Sequence, residues 1–338
     1  MMTNSFNSIE FKNNKLVLLD QTKLPLKETY IKTDDYERIA IAIERLEVRG
    51  APAIGISAAY AIALSFKNIT IVQKNHFEIV YERLWKTRPT AVNLFWALNR
   101  MKKVFELNKN SKNIYNILVS EAIQIHNEDV IMCDQIAANG LQIFKKKSTV
   151  LTHCNTGKLA TGGGGTAFNV INYGFKKGKV KFVHADETRP LLQGSRLTAF
   201  ELSKSGIPFS INTDSTAAFL MQNNKIDLVI TGADRIALNG DSANKIGTYN
   251  LAVLCKHHNI PFYIAAPTST IDQKCKSGKN IQIEFRDKKE INSFKREKIT
   301  SEEYEVFSPA FDVTPNYLIT GIITEKKLHL PPYNFRIL

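Results

Sequence analysis

One thiol, one carboxyl and a few basic side chains at turns are the groups in this 338-residue chain best set for chemistry. Cys154 ends the run Val150-Leu-Thr-His-Cys154, which reads as a β-branched strand. Four consecutive glycines, Gly162 to Gly165, follow and lead into the apolar helical segment Ala167 to Ile171. Glycines let a backbone come close to a ligand, and a helix N-terminus offers free N–H groups to an anion. A thiol at a strand end before such an entrance can have a lowered pKa and supply a thiolate, although a lone cysteine is more often a small buried hydrophobe. Asp234 follows the mostly apolar run Leu228-Val-Ile-Thr-Gly-Ala233. A carboxyl in apolar surroundings keeps its proton to higher pH and can act as a general acid.

Three segments suit an anion. Val48-Arg-Gly-Ala-Pro-Ala-Ile-Gly55 places Arg49, with Gly50 and Ala51, on a tight turn before a small-residue helix. Arg88 precedes another helix start, where Pro89 is suited to the first turn. Asn239 to Thr248 gathers Asn239, Asp241, Ser242, Asn244 and Lys245 around two glycines. Arginine offers phosphate a planar fork and lysine a point charge. Any one of these reads as a surface salt bridge; together, flanking turns and helix starts, they point to a small phosphorylated ligand.

The elements that must position these groups change period along the chain. Ile9 to Thr33 alternates apolar and polar residues around turn signals, as in a small antiparallel sheet. Tyr36 to Leu46, Ala91 to Phe105 and Tyr115 to Phe144 have helical spacing, and Ala51 to Phe66 reads as a buried helix. After Lys147, short β-rich runs alternate with helical segments: Thr149–Thr152, Val180–His184, Pro208–Asn212, Leu228–Thr231 and Phe262–Ala266. That is the pattern of a doubly wound parallel sheet. The expected organisation is an N-terminal small-sheet and helical domain over 1–147, then a Rossmann-like α/β catalytic domain over 148–338. Lys274 to Thr300 reads as a surface excursion before Phe307 to Thr324 returns to the fold. In such a sheet, ligands lie beyond the carboxyl ends of the strands. Those ends carry His153-Cys154, Asp186-Glu187, Thr213-Asp214, Ala233-Asp234 and Pro267-Thr268. Asp214 reads as a helix N-cap rather than a catalyst.

Composition narrows the class. With 43% hydrophobic and 23% charged residues the chain is globular, and its longest apolar run is too short and interrupted to span a membrane. No secretory signal opens the chain, and four cysteines without CxxC pairing fit free thiols in a reducing cytoplasm. The net charge of +13 comes from scattered lysine clusters without interleaved aromatics, which disfavours nucleic acid. Rival motifs fail on spacing. Gly163 stands where a Walker loop needs lysine. Gly162-Gly-Gly-Gly-Thr-Ala167 fits a dinucleotide fingerprint, but it begins ten positions after Thr152 instead of directly at the strand end. His153, Cys154, Cys255, His257 and His258 lack a metal-ligand spacing. No metal and no cofactor are expected.

Several blocks taken together resemble the methylthioribose-1-phosphate isomerase family of methionine salvage. They are Arg49-Gly-Ala-Pro52, Arg88-Pro-Thr-Ala-Val-Asn-Leu94, Thr152-His-Cys-Asn155, Glu187-Thr-Arg-Pro-Leu-Leu-Gln-Gly194, Gly232-Ala-Asp-Arg-Ile236, Gly240 to Tyr249 and Pro309 to Pro315. The resemblance implies an aldose–ketose isomerase with Cys154 as catalytic cysteine and Asp234 as proton donor. Arg49, Gly50, Ala51, Arg88, Gln193, Asn244 and Lys245 then match substrate-binding positions, and a homodimer is implied as well. A C1 phosphate blocks spontaneous opening of the sugar ring, so the enzyme must protonate the ring oxygen and then move hydrogen from C2 to C1. The same superfamily holds ribose-1,5-bisphosphate isomerases and non-catalytic regulatory subunits of initiation factor 2B. An isomerase of another C1-phosphorylated pentose, or a sugar-phosphate- or nucleotide-sensing subunit, are therefore the alternatives. The paired Cys154 and Asp234 favour the enzyme.

Overall fold

The computed structural model of the chain describes residues 6–69, 75–88, 92–294 and 297–336. Pro89, expected to open a helix, lies outside the described residues.

Strands β1 (Ile9–Lys12), β2 (Lys15–Leu19) and β3 (Tyr30–Thr33) form an antiparallel sheet. Helices α1 (Tyr36–Glu44), α2 (Ala51–Leu64), α3 (His76–Trp85), α4 (Val92–Asn108) and α5 (Ile114–Gly140) follow. Asp35 caps α1 by accepting the Glu37 N–H at 2.9 Å. Helix α2 is apolar all round, and from Ala53 to Leu64 every residue is buried. A helix of that kind belongs inside a core, and α2 packs against α1, α4 and α5 accordingly. Its N-cap is Gly50 at φ +92°, a turn that a side chain rarely adopts. That turn places Arg49 at the head of a rigid element.

The second half alternates strands and helices: β4 (Ser148–Thr152), α6 (Ala167–Lys176), β5 (Val180–Asp186), α7 (Ala199–Lys204), β6 (Phe209–Asn212), α8 (Thr216–Gln222) and β7 (Leu228–Thr231). There follow β8 (Arg235–Ile236), β9 (Ser242–Lys245), α9 (Thr248–His258), β10 (Phe262–Ala265), α10 (Lys289–Asn292), β11 (Ser293–Phe294), β12 (Glu297–Lys298), β13 (Phe311–Thr314), β14 (Gly321–Ile323) and β15 (Leu328–His329). Seven strands make one sheet in the order β15-β14-β10-β7-β4-β5-β6. All neighbours are parallel except β14 and β15. This antiparallel edge departs from the all-parallel pattern in the sequence because a turn closed by Thr324 N–H to Lys327 O reverses the chain. Side chains alternate between two cores. Val150, Ile230, Ala265 and Ile323 pack with α6 on one face, whereas Leu151, Val229, Ile264 and Ile322 pack with α8 and α9 on the other.

The strand order locates the site. From β4 the chain winds outward through β5 and β6, then returns to the other side of β4 with β7. The switch point thus lies between the carboxyl ends of β4 and β7, where such sheets bind ligands. Cys154 follows β4 and Asp234 follows β7. A separate antiparallel sheet, β13-β9-β8, stands over this point, with Lys245 paired to Phe311 and Asn244 to Asp312. Among the described residues no helix is long and apolar enough to cross a membrane.

Candidate active site

A cavity at the switch point is lined by Arg49, Gly50, Ala51, Arg88, Cys154, Asp234, Asn244 and Lys245. Residues separated by almost 200 positions in sequence thus meet in one pocket. Gln193 is not on its wall. It is fully buried behind Arg49. The amide orientation that satisfies both neighbours puts its oxygen 2.5 Å from Arg49 Nη2 and its nitrogen 3.2 Å from Thr188 O. Gln193 therefore holds a cavity residue in place.

Burial governs the electrostatics. The Asp234 carboxyl is pushed above its ordinary pKa by burial, against the pull of Lys245, Arg88 and Arg49. A proton on this carboxyl suits a general acid. Burial likewise raises the Cys154 thiol, with Lys245 and Arg49 pulling it down. This corrects the thiolate expected from a strand-end position: loss of hydration outweighs two nearby cations, and the resting group is a thiol. Burial also weakens the cations, lowering Lys245 and bringing Arg49 down to about 10. Lys245 Nζ donates to Ala310 O at 2.9 Å and sits 4.3 Å from the Phe311 ring centroid. These contacts fix a desolvated ammonium in the wall. Asn244 Nδ2 donates to Thr248 Oγ1 at 3.0 Å.

The glycine run has a different task from the one its composition suggests. A Cβ at Gly163 would stand 2.8 Å from Val130 Cα and 2.9 Å from Cys133 Cβ. One at Gly162 would stand 2.6 Å from Ile56 Cδ1. The glycines thus let the loop press against α5 and α2, and Asp129 of α5 accepts the Gly162 N–H at 2.7 Å. At the head of α6, the Phe168 N–H donates to Thr156 Oγ1, so this donor is spent inside the protein. The run is a packing device, and the cavity's cations come from elsewhere. Asp214 also differs from its expected part as a helix cap. Its carboxylate accepts the N–H groups of Thr188 and Arg189 at 2.8 and 2.7 Å.

Several contributors carry no spacing signal. Glu201, buried and raised to about 7 by desolvation, accepts the N–H groups of Lys158 and Leu159 and the Asn155 amide. It anchors the loop just after Cys154. His153 lies under the site with Nδ1 3.1 Å from Asp186 Oδ2 and Nε2 donating to Ile246 O at 2.9 Å. Burial pulls its pKa down, but the hydrogen bond and charge of Asp186, the charge of Asp214 and the Ile246 carbonyl together outweigh that, and the net direction is up. The stretch Ile281 to Glu284, together with Arg286, lines the cavity as well. Part of the basic excursion is therefore wall, because β13 draws the chain back beside β9.

The model of the initiation factor 2 subunit family matches residues 47–329. A methylthioribose-1-phosphate isomerase of Caldicellulosiruptor saccharolyticus is 54% identical over 97% of each chain, and one of Thermotoga maritima is 51% identical over 98% of this chain and 96% of its own. The crystal structure of 5-methylthioribose 1-phosphate isomerase from Pyrococcus horikoshii superposes with a TM-score of 0.91 at 42% identity, covering 98% of this chain and 97% of that one. A structure described as translation initiation factor eIF-2B, subunit delta, from A. fulgidus gives 0.86 at 39% identity over 97% of each chain. The chain belongs to the initiation factor 2 subunit family and, within it, to the methylthioribose-1-phosphate isomerases.

Proposed function

We propose that the chain is an aldose–ketose isomerase converting 5-methylthioribose 1-phosphate to 5-methylthioribulose 1-phosphate in methionine salvage, with Asp234 and Cys154 as its reacting groups. The observation that carries this reading is their meeting at the switch point, both raised in pKa by burial, in a cavity with Arg49, Arg88 and Lys245. The cations bind the phosphate and fix the sugar. Asp234 gives its proton to the ring oxygen as the C1–O bond breaks, the electron pair leaving with that oxygen. C1 is left electron-poor beside its phosphate ester. Hydrogen then moves from C2 to C1, and the C2 hydroxyl proton returns to the Asp234 carboxylate as the ketone forms. No atom is gained or lost. The Cys154 thiol lies in the same wall as a polarisable group for the developing charge.

A protonated thiol supports transfer of the hydrogen with its electron pair. Product formed in deuterium oxide is then expected to lack solvent deuterium at C1. Incorporation at C1 would instead make Cys154 a base acting through its thiolate. Phosphorus NMR with the 5-methylthio, 5-deoxy and 5-phospho substrates tests the function itself, with fastest ketose formation expected on the first. Binding without turnover would support the regulatory alternative suggested by the A. fulgidus description. The reading extends to a cytoplasmic homodimer, supported by four free cysteines and by the likeness to these isomerases. Light scattering would then give twice the 38.1 kDa chain mass.

A further inference from the structure

Cys154 is held in a strained backbone by a residue from the neighbouring strand end. Its φ is +62°, and that of Thr188, beyond β5, is +64°. That region is uncommon for any side chain and an outlier for a β-branched one, so it persists only where surroundings over-determine it. Here hydroxyls do so. β4 ends at Thr152, and the Cys154 N–H donates to Thr188 Oγ1 at 2.9 Å instead of to a sheet neighbour. The Cys154 carbonyl accepts Thr198 Oγ1 at 2.6 Å.

Thr188 is itself tightly fixed. It is fully buried, its hydroxyl donates to Asp186 O at 3.0 Å, and a lone pair is thereby aimed at Cys154. Its N–H is held by Asp214, and its carbonyl accepts the Gln193 amide that also grips Arg49. One residue thus joins the backbone of the thiol to the support of the guanidinium.

We propose that Thr188, with Thr198 on the carbonyl side, is a positioning residue that sets the direction of the Cys154 thiol for the isomerisation. This rests on the reading that Cys154 serves the reaction. The side-chain hydroxyl acts on Cys154, whereas Arg49 is reached through the Thr188 carbonyl, which substitution leaves in place. Thr188→Val keeps shape and β-branching and removes the hydroxyl, which is both the acceptor of the Cys154 N–H and the donor to Asp186 O; Thr188→Ser keeps that hydroxyl.

The test is steady-state kinetics on both variants beside Cys154→Ala, with the rate of Cys154 alkylation by iodoacetamide followed against pH. Expected for Thr188→Val is a fall in kcat of roughly tenfold or more, KM within about twofold, and a shifted alkylation profile. Thr188→Ser should recover kcat to within roughly threefold. Should Thr188→Val not fold, Thr198→Val is expected to give the same split. A wild-type kcat in the valine variants while Cys154→Ala is inactive would overturn this positioning role and leave the reading of the site standing. Equal losses in serine and valine variants, or a loss confined to KM, would overturn it too. Full activity in Cys154→Ala would remove the reading of the site, and this proposal with it.

Discussion

Burial opposes Lys245, Arg88 and Arg49 at Asp234, and Lys245 and Arg49 at Cys154. Desolvation prevails for both, so each keeps its proton to higher pH than an ordinary group of its kind. For an acid that must donate, activity is present below its pKa and lost as pH rises through it. The alkaline limb of kcat/KM is therefore expected above the usual carboxylate range. Lys245 is the strongest influence lowering Asp234, so Lys245→Met should move that limb to higher pH while raising KM. A limb displaced to lower pH would contradict the assignment. Both residues proposed to react were legible in the sequence as candidates, because a strand end places a polar group at the rim of a parallel sheet. Thr188, Thr198 and Glu201 were not. Their contribution depends on what faces a hydroxyl or carboxylate after folding, and the positive φ of Cys154 leaves no mark on spacing. The thiolate expectation failed for a related reason: neighbouring cations cannot be weighed against burial until the cavity walls are known.

At the scale of elements, helices and sheet are joined by close backbone approaches. Gly163 lies against Val130 and Cys133 of α5 with no room for a methyl group. Gly163→Ala is expected to destabilise the fold by about 1–3 kcal/mol in urea unfolding, as overpacking does. A change below about 0.5 kcal/mol would show the loop freer than the packing implies. The parallel strands and long helices were readable from periodicity, since β7 and β10 are near-continuous apolar runs and β4 is rich in β-branched residues. Two features were not. In the β13-β9-β8 sheet, β13 pairs with a strand roughly 70 residues earlier, and these short strands have no period to detect. The glycine run misled because the need for backbone proximity looks the same whether the visitor is a phosphate or a helix.

For the whole molecule, stability depends on buried carboxyls other than Asp234. Glu201 is raised to about 7, and Asp129 and Asp312 to about 6, in each case chiefly by burial. A carboxyl raised on folding stabilises fully below its unfolded pKa, and that contribution is lost as pH climbs through the folded value. From about pH 4 to 7 these groups should make the fold progressively less stable. For Glu201 the loss is on the order of 3 kcal/mol. Urea midpoints measured across this range should fall more steeply for the wild type than for Glu201→Gln, and parallel slopes would contradict that. The central claim concerns the cavity at the switch point, and proton NMR of 5-methylthioribose 1-phosphate with purified protein tests it most directly. Wild-type protein should form the ketose, while Cys154→Ala and Asp234→Asn should lose turnover by roughly 100-fold or more with unchanged circular dichroism. Ketose formation at a near-wild-type rate in either folded variant would contradict the account.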